Sequence, residues 1–369
     1  MGIWSWGFVI WDCFGIIYTT QFFSGQMKIL FAIQGTGNGH LSRARDVYPE
    51  LVKYGDVDVL ISGIQADVEV PFPVKYKLYG MSFIFGKRGG VDIVETAKKL
   101  KLFRLLKDIR EFPIEQYDLV INDFEPVSAW ACKRKKLPCI SVSHQCAVLH
   151  KNAPKPATGD PMGKLVLERY APVTAAYGFH FKSFGENIFT PVIRKEIREL
   201  AVTNRGHHAV YLPAYDDETI VRHLSVFNEA KWEVFSKHNK QPFVSGNVSV
   251  KKIDNRAFIE SMAASAGVLC GAGFEGPAEA MYLGKKIMVI PMLTQYEQQC
   301  NAAGAAAMGA TVVKTLDEKH HNIIREWLER GRSIEVDYPD ITEEIIAKII
   351  KEHAPNYRQK TKTPAGIGI

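Results

Sequence analysis

From Met27 onward, short apolar runs alternate with stretches whose apolar residues recur at helical spacing. Apolar runs bounded by turn residues mark strands buried on both faces, and the longer period marks amphipathic helices. The pattern predicts a strand over Lys28–Ile33, a helix over Leu41–Lys53 and a strand over Val57–Ser62. A helix over Asp92–Glu111 follows. Then come a strand at Leu119–Asn122, a helix at Val127–Lys135 and a strand at Cys139–Val142. Such alternation gives a parallel sheet with helices on both faces. The proline-rich stretch Asn152–Pro161 is predicted to be a long loop.

Near Phe189 the pattern restarts. Thr190–Ile193 is predicted to cross into a second sheet. Its strands are Ala209–Leu212, Lys231–Phe235, Phe243–Ser245, Gly267–Cys270, Ile287–Ile290 and Thr311–Val313, with a helix at Glu218–Leu224. Asp340–Glu352 has the apolar period of a helix. The chain therefore divides into an apolar extension (1–26), an N-terminal sheet domain (27–188), a C-terminal sheet domain (189–338), a C-terminal helix (339–353) and a tail (354–369). A length of 369 residues agrees with two cores rather than one. The fold class is α/β: two doubly wound, Rossmann-like domains facing a cleft. Ligands of such sheets bind at the carboxyl ends of the strands.

Composition narrows the function. A charged fraction of 23% and a hydrophobic fraction of 46% are those of an ordinary globular chain. A net charge of +6 is too mild for a dedicated nucleic-acid binder, but it suits anionic substrates or a membrane surface. The six cysteines form no Cys-x-x-Cys pair, and a reducing cytoplasm is expected. Met1–Gln26 carries only Asp12 as a charge and lacks the basic start of a signal peptide. Its apolar pieces are short for a membrane span, so it is expected either to be an upstream extension outside the fold or to form a membrane-associating helix.

Two glycine turns carry the candidate chemistry. The second, Gly271, Ala272, Gly273 and Phe274, follows a predicted strand and opens a helix containing Pro277 and Glu279. A helix N-terminus facing a glycine turn attracts phosphate. A carboxylate one turn in accepts hydrogen bonds from ribose hydroxyls. The next strand ends in a polar loop with Gln295, Glu297, Gln298, Gln299 and Asn301. Amides both donate and accept, which suits sugar hydroxyls. Phosphate, ribose and sugar sites in one strand–helix–strand unit describe a nucleotide-sugar pocket.

The first turn is Gly35, Thr36, Gly37, Asn38 and Gly39, and His40 opens the helix after it. This loop is expected to face the cleft, where it binds an acceptor or a diphosphate oxygen. A histidine there can take the proton of an attacking hydroxyl. Asp123, at the end of another strand, either caps the next helix or orients His40. Ser143, His144 and Gln145 end the strand after that, and His144 is the rival base. No Asp-x-Asp stands where it would hold a metal: Asp56-Val-Asp58 enters a strand and reads as surface. His207-His208 has no third ligand at metal spacing.

The pair of turns, in this order and spacing, resembles the signature of GT-B glycosyltransferases over Met27–Glu352. The branch is that of the UDP-glycosyltransferases and the lipid II-forming N-acetylglucosaminyltransferase. The resemblance implies a nucleotide-sugar donor, UDP-linked, in the C-terminal domain. It implies an acceptor hydroxyl on the N-terminal side, inversion at the anomeric carbon, and no metal or other cofactor. It makes His40 the general base. It puts Ser245, Gly246 and Asn247 at the nucleobase, and Gln298 and Gln299 at the donor sugar. It also implies a role in cell-envelope or glycolipid synthesis with a lipid-linked acceptor. Lys98–Arg110, with six basic residues and one acidic among apolar ones, matches a membrane-docking patch in that family. The protein is then expected in the cytoplasm, peripheral on the inner face of the plasma membrane. Two rival readings keep the fold: a GT-B UDP-sugar epimerase and a non-catalytic sugar-nucleotide-binding protein.

Overall fold

The computed structural model describes residues 26–36, 38–63, 70–80, 102–239 and 241–354. The extension through residue 25, Gly37, the loop at 82–91, the first part of the predicted 92–111 helix and the tail from residue 355 lie outside the described residues.

Among the described residues the chain forms two seven-stranded sheets. The first contains β1 (Lys28–Gln34), β2 (Asp56–Ser62), β3 (Tyr76–Leu78), β4 (Leu119–Asp123), β5 (Ile140–Ser143), β6 (Ala175–Phe179) and β7 (Ile188–Phe189). Its order is β3-β2-β1-β4-β5-β6-β7, parallel throughout. The second contains β8 (His207–Tyr211), β9 (Lys231–Ser236), β10 (Phe243–Ser245), β11 (Val248–Lys252), β12 (Gly267–Gly271), β13 (Lys286–Ile290) and β14 (Thr311–Val312). Its order is β10-β11-β9-β8-β12-β13-β14, parallel except for the β10–β11 hairpin.

The central strands are the apolar runs of the sequence. Ile29 to Ile33 and Leu119 to Ile121 are buried, as are Val268 to Cys270 and Ile287 to Ile290. Strand order reverses between β1 and β4, and again between β8 and β12. Connections from such neighbours leave to opposite faces and open a crevice between them. Both glycine turns sit at these two crevices.

Two details set up the site. The helix Pro126–Lys135 is capped by Glu125, which accepts from Val127 N and Ser128 N at 2.7 and 2.6 Å. Asp123 is thereby released from capping. Phe124 between them has φ 57°, a left-handed conformation costly for a bulky side chain.

The C-terminal helix Thr342–His353 leaves the second sheet and returns to the first domain. Ile345, Ile346, Ile349 and Ile350 share a core with Val47 and Leu51 of the first helix, Gly39–Leu51. Tyr177 Oη bonds Glu352 and lies 2.7 Å from His353 Nε2. One element goes beyond the sequence reading: the helix Pro161–Tyr170 begins where the predicted loop ends, with Asp160 as its cap.

Candidate active site

The two sheets point their carboxyl ends into one cleft, whose cavity holds about 580 Å³. From the first domain it is lined by Thr36, Asn38, Gly39 and His40. His40 Nδ1 lies 2.8 Å from Asp123 Oδ1. Sequence reasoning thus placed the two ends of one hydrogen bond on β1's loop and β4's end, and the sheet brings them together. Burial depresses the His40 pKa, but the charge and hydrogen bond of Asp123 outweigh it, and the net shift is upward. Asp123 is also buried, and Arg43 and His40 hold its carboxyl below the usual range against that burial.

Arg43 was not anticipated. It lies one turn beyond His40 on the buried face of its helix, 2% exposed. Its Nη2 donates to Asp123 Oδ1 and Oδ2 at 2.7 and 2.8 Å, and Nη1 donates to Glu275 Oε1 at 2.5 Å. Glu275 opens the helix Glu275–Tyr282 of the other domain. A single buried cation therefore ties the carboxylate that holds His40 to the first turn of a helix in the other domain. Gly39 permits this closeness: a Cβ there would lie 2.3 Å from Glu275 Oε2. The signal in the sequence was an arginine among Leu41, Ala44 and Val47, a charge on an otherwise apolar stripe. The rest of the first loop divides: Thr36 and Asn38 line the cavity, whereas Gly35 is pinned to β2 through its N–H to the Ser62 carbonyl at 2.6 Å.

From the second domain Gly271, Gly273, Phe274 and Glu279 line the cavity. Ala272 does not; it is buried, and its carbonyl accepts from Asn301 Nδ2 at 3.2 Å. Glu279 is 3% exposed and paired with Arg194 of the interdomain connection, Nε to Oε1 at 2.5 Å and Nη2 to Oε2 at 2.9 Å. Burial opposes the charge of Arg194, but Glu279 more than restores it, so a cation sits in the cavity wall. Gln295, Glu297 and Gln298 line the cavity. Gln299 turns away, and its Nε2 donates to the Leu293 carbonyl at 2.6 Å.

The nucleobase assignment is corrected. Ser245, Gly246 and Asn247 form the turn of the β10–β11 hairpin, where Val248 pairs with Trp232 at the start of β9. That is the amino end of the sheet, opposite the cleft. Asn247 Nδ2 is spent on the Phe227 and Ala230 carbonyls at 2.7 and 2.9 Å. The cavity wall there comes instead from Tyr211 to Tyr215 after β8, Lys237 after β9, and Ile253 and Phe258 after β11. Each follows the carboxyl end of a strand.

His144 is also corrected as a candidate base. It is 1% exposed; Nδ1–H donates to the Phe179 carbonyl at 2.7 Å, and Nε2 meets Asn301 Oδ1 at 2.7 Å. Its ring stacks on Phe274 at 3.8 Å. Burial lowers its pKa despite Glu297 nearby. Nδ1 is tied to β6 of its own domain, and Nε2 serves the contact between domains. Gln145, one residue on, was passed over: its Nε2 lies 3.3 Å from His40 Nε2 and 3.2 Å from both oxygens of Glu297. Among the described residues no cluster of three His, Cys, Asp or Glu side chains could hold a metal. Asp58 bonds Lys75 and Tyr117, and His207 bonds Ser261, both away from the cleft.

A family model described as "Glycosyl transferase family 1" matches residues 27–330. The chain belongs to this family. It is a glycosyltransferase, and the two sheets are the GT-B fold. No curated protein matches the sequence significantly. Among solved structures, the glycotransferase of kitacinnamycin has a TM-score of 0.55 at 12% identity, covering 89% of this chain and 100% of that one. Phytolacca americana UGT2, complexed with UDP-2fluoro-glucose and pterostilbene, scores 0.53 at 11% identity, covering 89% and 94%. A UDP-N-acetylglucosamine 2-epimerase scores 0.50 at 13% identity, covering 89% and 96%. At these identities the likeness is one of fold alone.

Proposed function

We propose that this glycosyltransferase moves a sugar from a UDP-linked donor to an acceptor hydroxyl, with inversion and without a metal ion. The observation that carries the reading is the His40–Asp123 hydrogen bond, set across the cleft from the glycine turn of Gly271–Phe274. The donor's diphosphate would lie at the N-terminus of the helix Glu275–Tyr282, with Arg194 as the buried cation in the cavity wall. That helix end and cation would neutralise the leaving diphosphate. Glu279 would share its oxygens between Arg194 and the ribose, and Gln295, Glu297 and Gln298 would meet the sugar. The acceptor hydroxyl would attack the anomeric carbon as its proton passes to His40 Nε2. The bond to the diphosphate oxygen breaks on the opposite face.

Asp123 holds the imidazole by Nδ1 and steadies the imidazolium that forms. This makes the rate depend on neutral His40. As pH falls through the raised His40 pKa, kcat/KM should fall, with that acid limb lying above the ordinary value of 6.5. Asp123→Asn removes the charge that raises it, so the limb should move to lower pH as the plateau drops. A limb that stays put in the Asn variant refutes the coupling.

The ribose role of Glu279 has its own test. Glu279→Gln keeps the shape and removes the charge, and should weaken UDP binding by ~1.5–3 kcal/mol in calorimetry, the worth of a charged hydrogen bond. Unchanged affinity would remove Glu279 from the ribose site.

A second reading, UDP-sugar epimerisation, draws support from three carboxylates in the same cavity: Glu275, Glu279 and Glu297. Two of them are already ion-paired, which leaves Glu297 as its only ready acid or base among the three. A binding protein without catalysis has no use for an intact buried dyad.

We place the protein on the inner face of the plasma membrane, with a lipid-linked acceptor in envelope synthesis. The helix Leu102–Glu111 supports this: Phe103 is 91% exposed, flanked by exposed Leu102 and Leu106 and by Arg104, Lys107 and Arg110. An apolar ridge bordered by cations suits an anionic bilayer surface. Among the described residues no helix is long and apolar enough to cross a membrane.

A further inference from the structure

A second cavity, of about 330 Å³, lies beside the cleft in the first domain. Its polar flank is Asn122 of β4, Ser141 and Ser143 of β5, and Cys146. Its apolar flank is Leu149, Leu167, Pro172 and Val173. The exposed Lys133, Glu168 and Arg169 complete the lining, two cations to one carboxylate.

Two residues make the wall between this cavity and the base. Phe124, in its left-handed conformation, lies parallel to the His40 ring at 6.4 Å and stacks on Tyr170 at 4.6 Å. Gln145 lines both cavities and is 4% exposed. Its Nε2 stands in front of His40 Nε2, where an acceptor hydroxyl would have to be, and is held there by Glu297 of the donor side. Its Oε1 is buried with no hydrogen-bond partner. Leaving such an atom unpaired costs free energy that an arriving donor group would recover.

Resting on the transfer reading above, we infer that this second cavity seats the acceptor, and that Gln145 is a gate at its inner end. The occupant is a hydroxyl-bearing molecule with an apolar flank and an anionic outer end. Its reacting hydroxyl takes the place of the Gln145 amide at His40 Nε2 and gives its proton to that nitrogen, while a second hydroxyl of the same molecule donates to Gln145 Oε1. The anion rests between Lys133 and Arg169. A phosphate in a lipid headgroup and one in a soluble alcohol share this chemistry.

Cys146 reports on the cavity without any mutation, because it is half-buried in the lining while Cys132, Cys139, Cys270 and Cys300 are buried. The experiment is maleimide alkylation of the full chain, mapped by mass spectrometry. It is run with glycerol 3-phosphate, with micelles of the short-chain lipid dihexanoyl phosphatidylglycerol, with neutral octyl glucoside and with UDP alone. A probe at about ten times its Kd should slow Cys146 labelling about tenfold. Protection is expected from one or both phosphates, and whichever protects identifies a soluble or a lipid source. Octyl glucoside and UDP alone should leave labelling unchanged. The double variant Lys133→Glu/Arg169→Glu, on exposed positions, should abolish the protection. If neither phosphate protects, or protection survives the charge reversal, the cavity is not the acceptor seat. Thermal stabilisation by UDP in the same preparation judges the donor reading separately: UDP binding without Cys146 protection sinks only the cavity, and absence of UDP binding sinks the reading beneath it.

Discussion

His40→Ala is expected to lower turnover by ~10²–10⁴, the worth of positioned proton transfer. Its Nδ1 is fixed by Asp123, so the ring cannot turn, and Nε2 is the atom left for an acceptor. Donor affinity should change little, because the donor pocket belongs to the other sheet, and the loss should appear in kcat rather than in the donor's KM. His144→Ala should behave differently. It removes a ring stacked on Phe274 and both of that ring's polar contacts, so thermal stability should fall while turnover per folded molecule is largely kept. A dead His144 variant beside an active His40 variant would reverse the assignment.

The largest stability effect should come from Arg43→Leu. This guanidinium neutralises Asp123 within its own domain and Glu275 across the cleft. Removing one partner of a buried pair leaves an uncompensated charge, which costs ~3–5 kcal/mol. A fall of that size in denaturant melts is expected, and Asp123→Asn in the Arg43→Leu background should recover part of it. The recovery matters because it separates lost packing from lost neutralisation: a leucine cavity would not be mended by removing a carboxylate's charge. No change in stability on Arg43→Leu would mean that the link between the domains is not load-sharing.

What the sequence disclosed, and what it withheld, follows from how local each signal is. Gly39 and His40 are adjacent, and the strand before them is an unbroken apolar run, so the first turn could be read directly. The same holds for Gly271, Gly273 and Glu279. Asp123 was legible as a strand end but ambiguous as a cap, because only the fold shows Glu125 taking that work. Ser245–Asn247 was misplaced for a geometric reason. β10 is an antiparallel edge strand, so the turn after it lies at the amino end of β11, and hydrophobic period does not say which end of a sheet a turn occupies. The Arg43–Glu275 pair joins residues from different domains and exists only once the cleft has formed. Gln145 resembles any buried amide in sequence; its meaning lies in standing between His40 and Glu297.

The most direct measurement follows UDP-sugars by proton NMR, with EDTA present and an acceptor mixture added. The account predicts that one of them yields free UDP together with a new anomeric signal of inverted configuration, at a rate EDTA does not change. Isomerised UDP-sugar without UDP release, retention at the anomeric carbon, or activity that returns only with manganese or magnesium would contradict it.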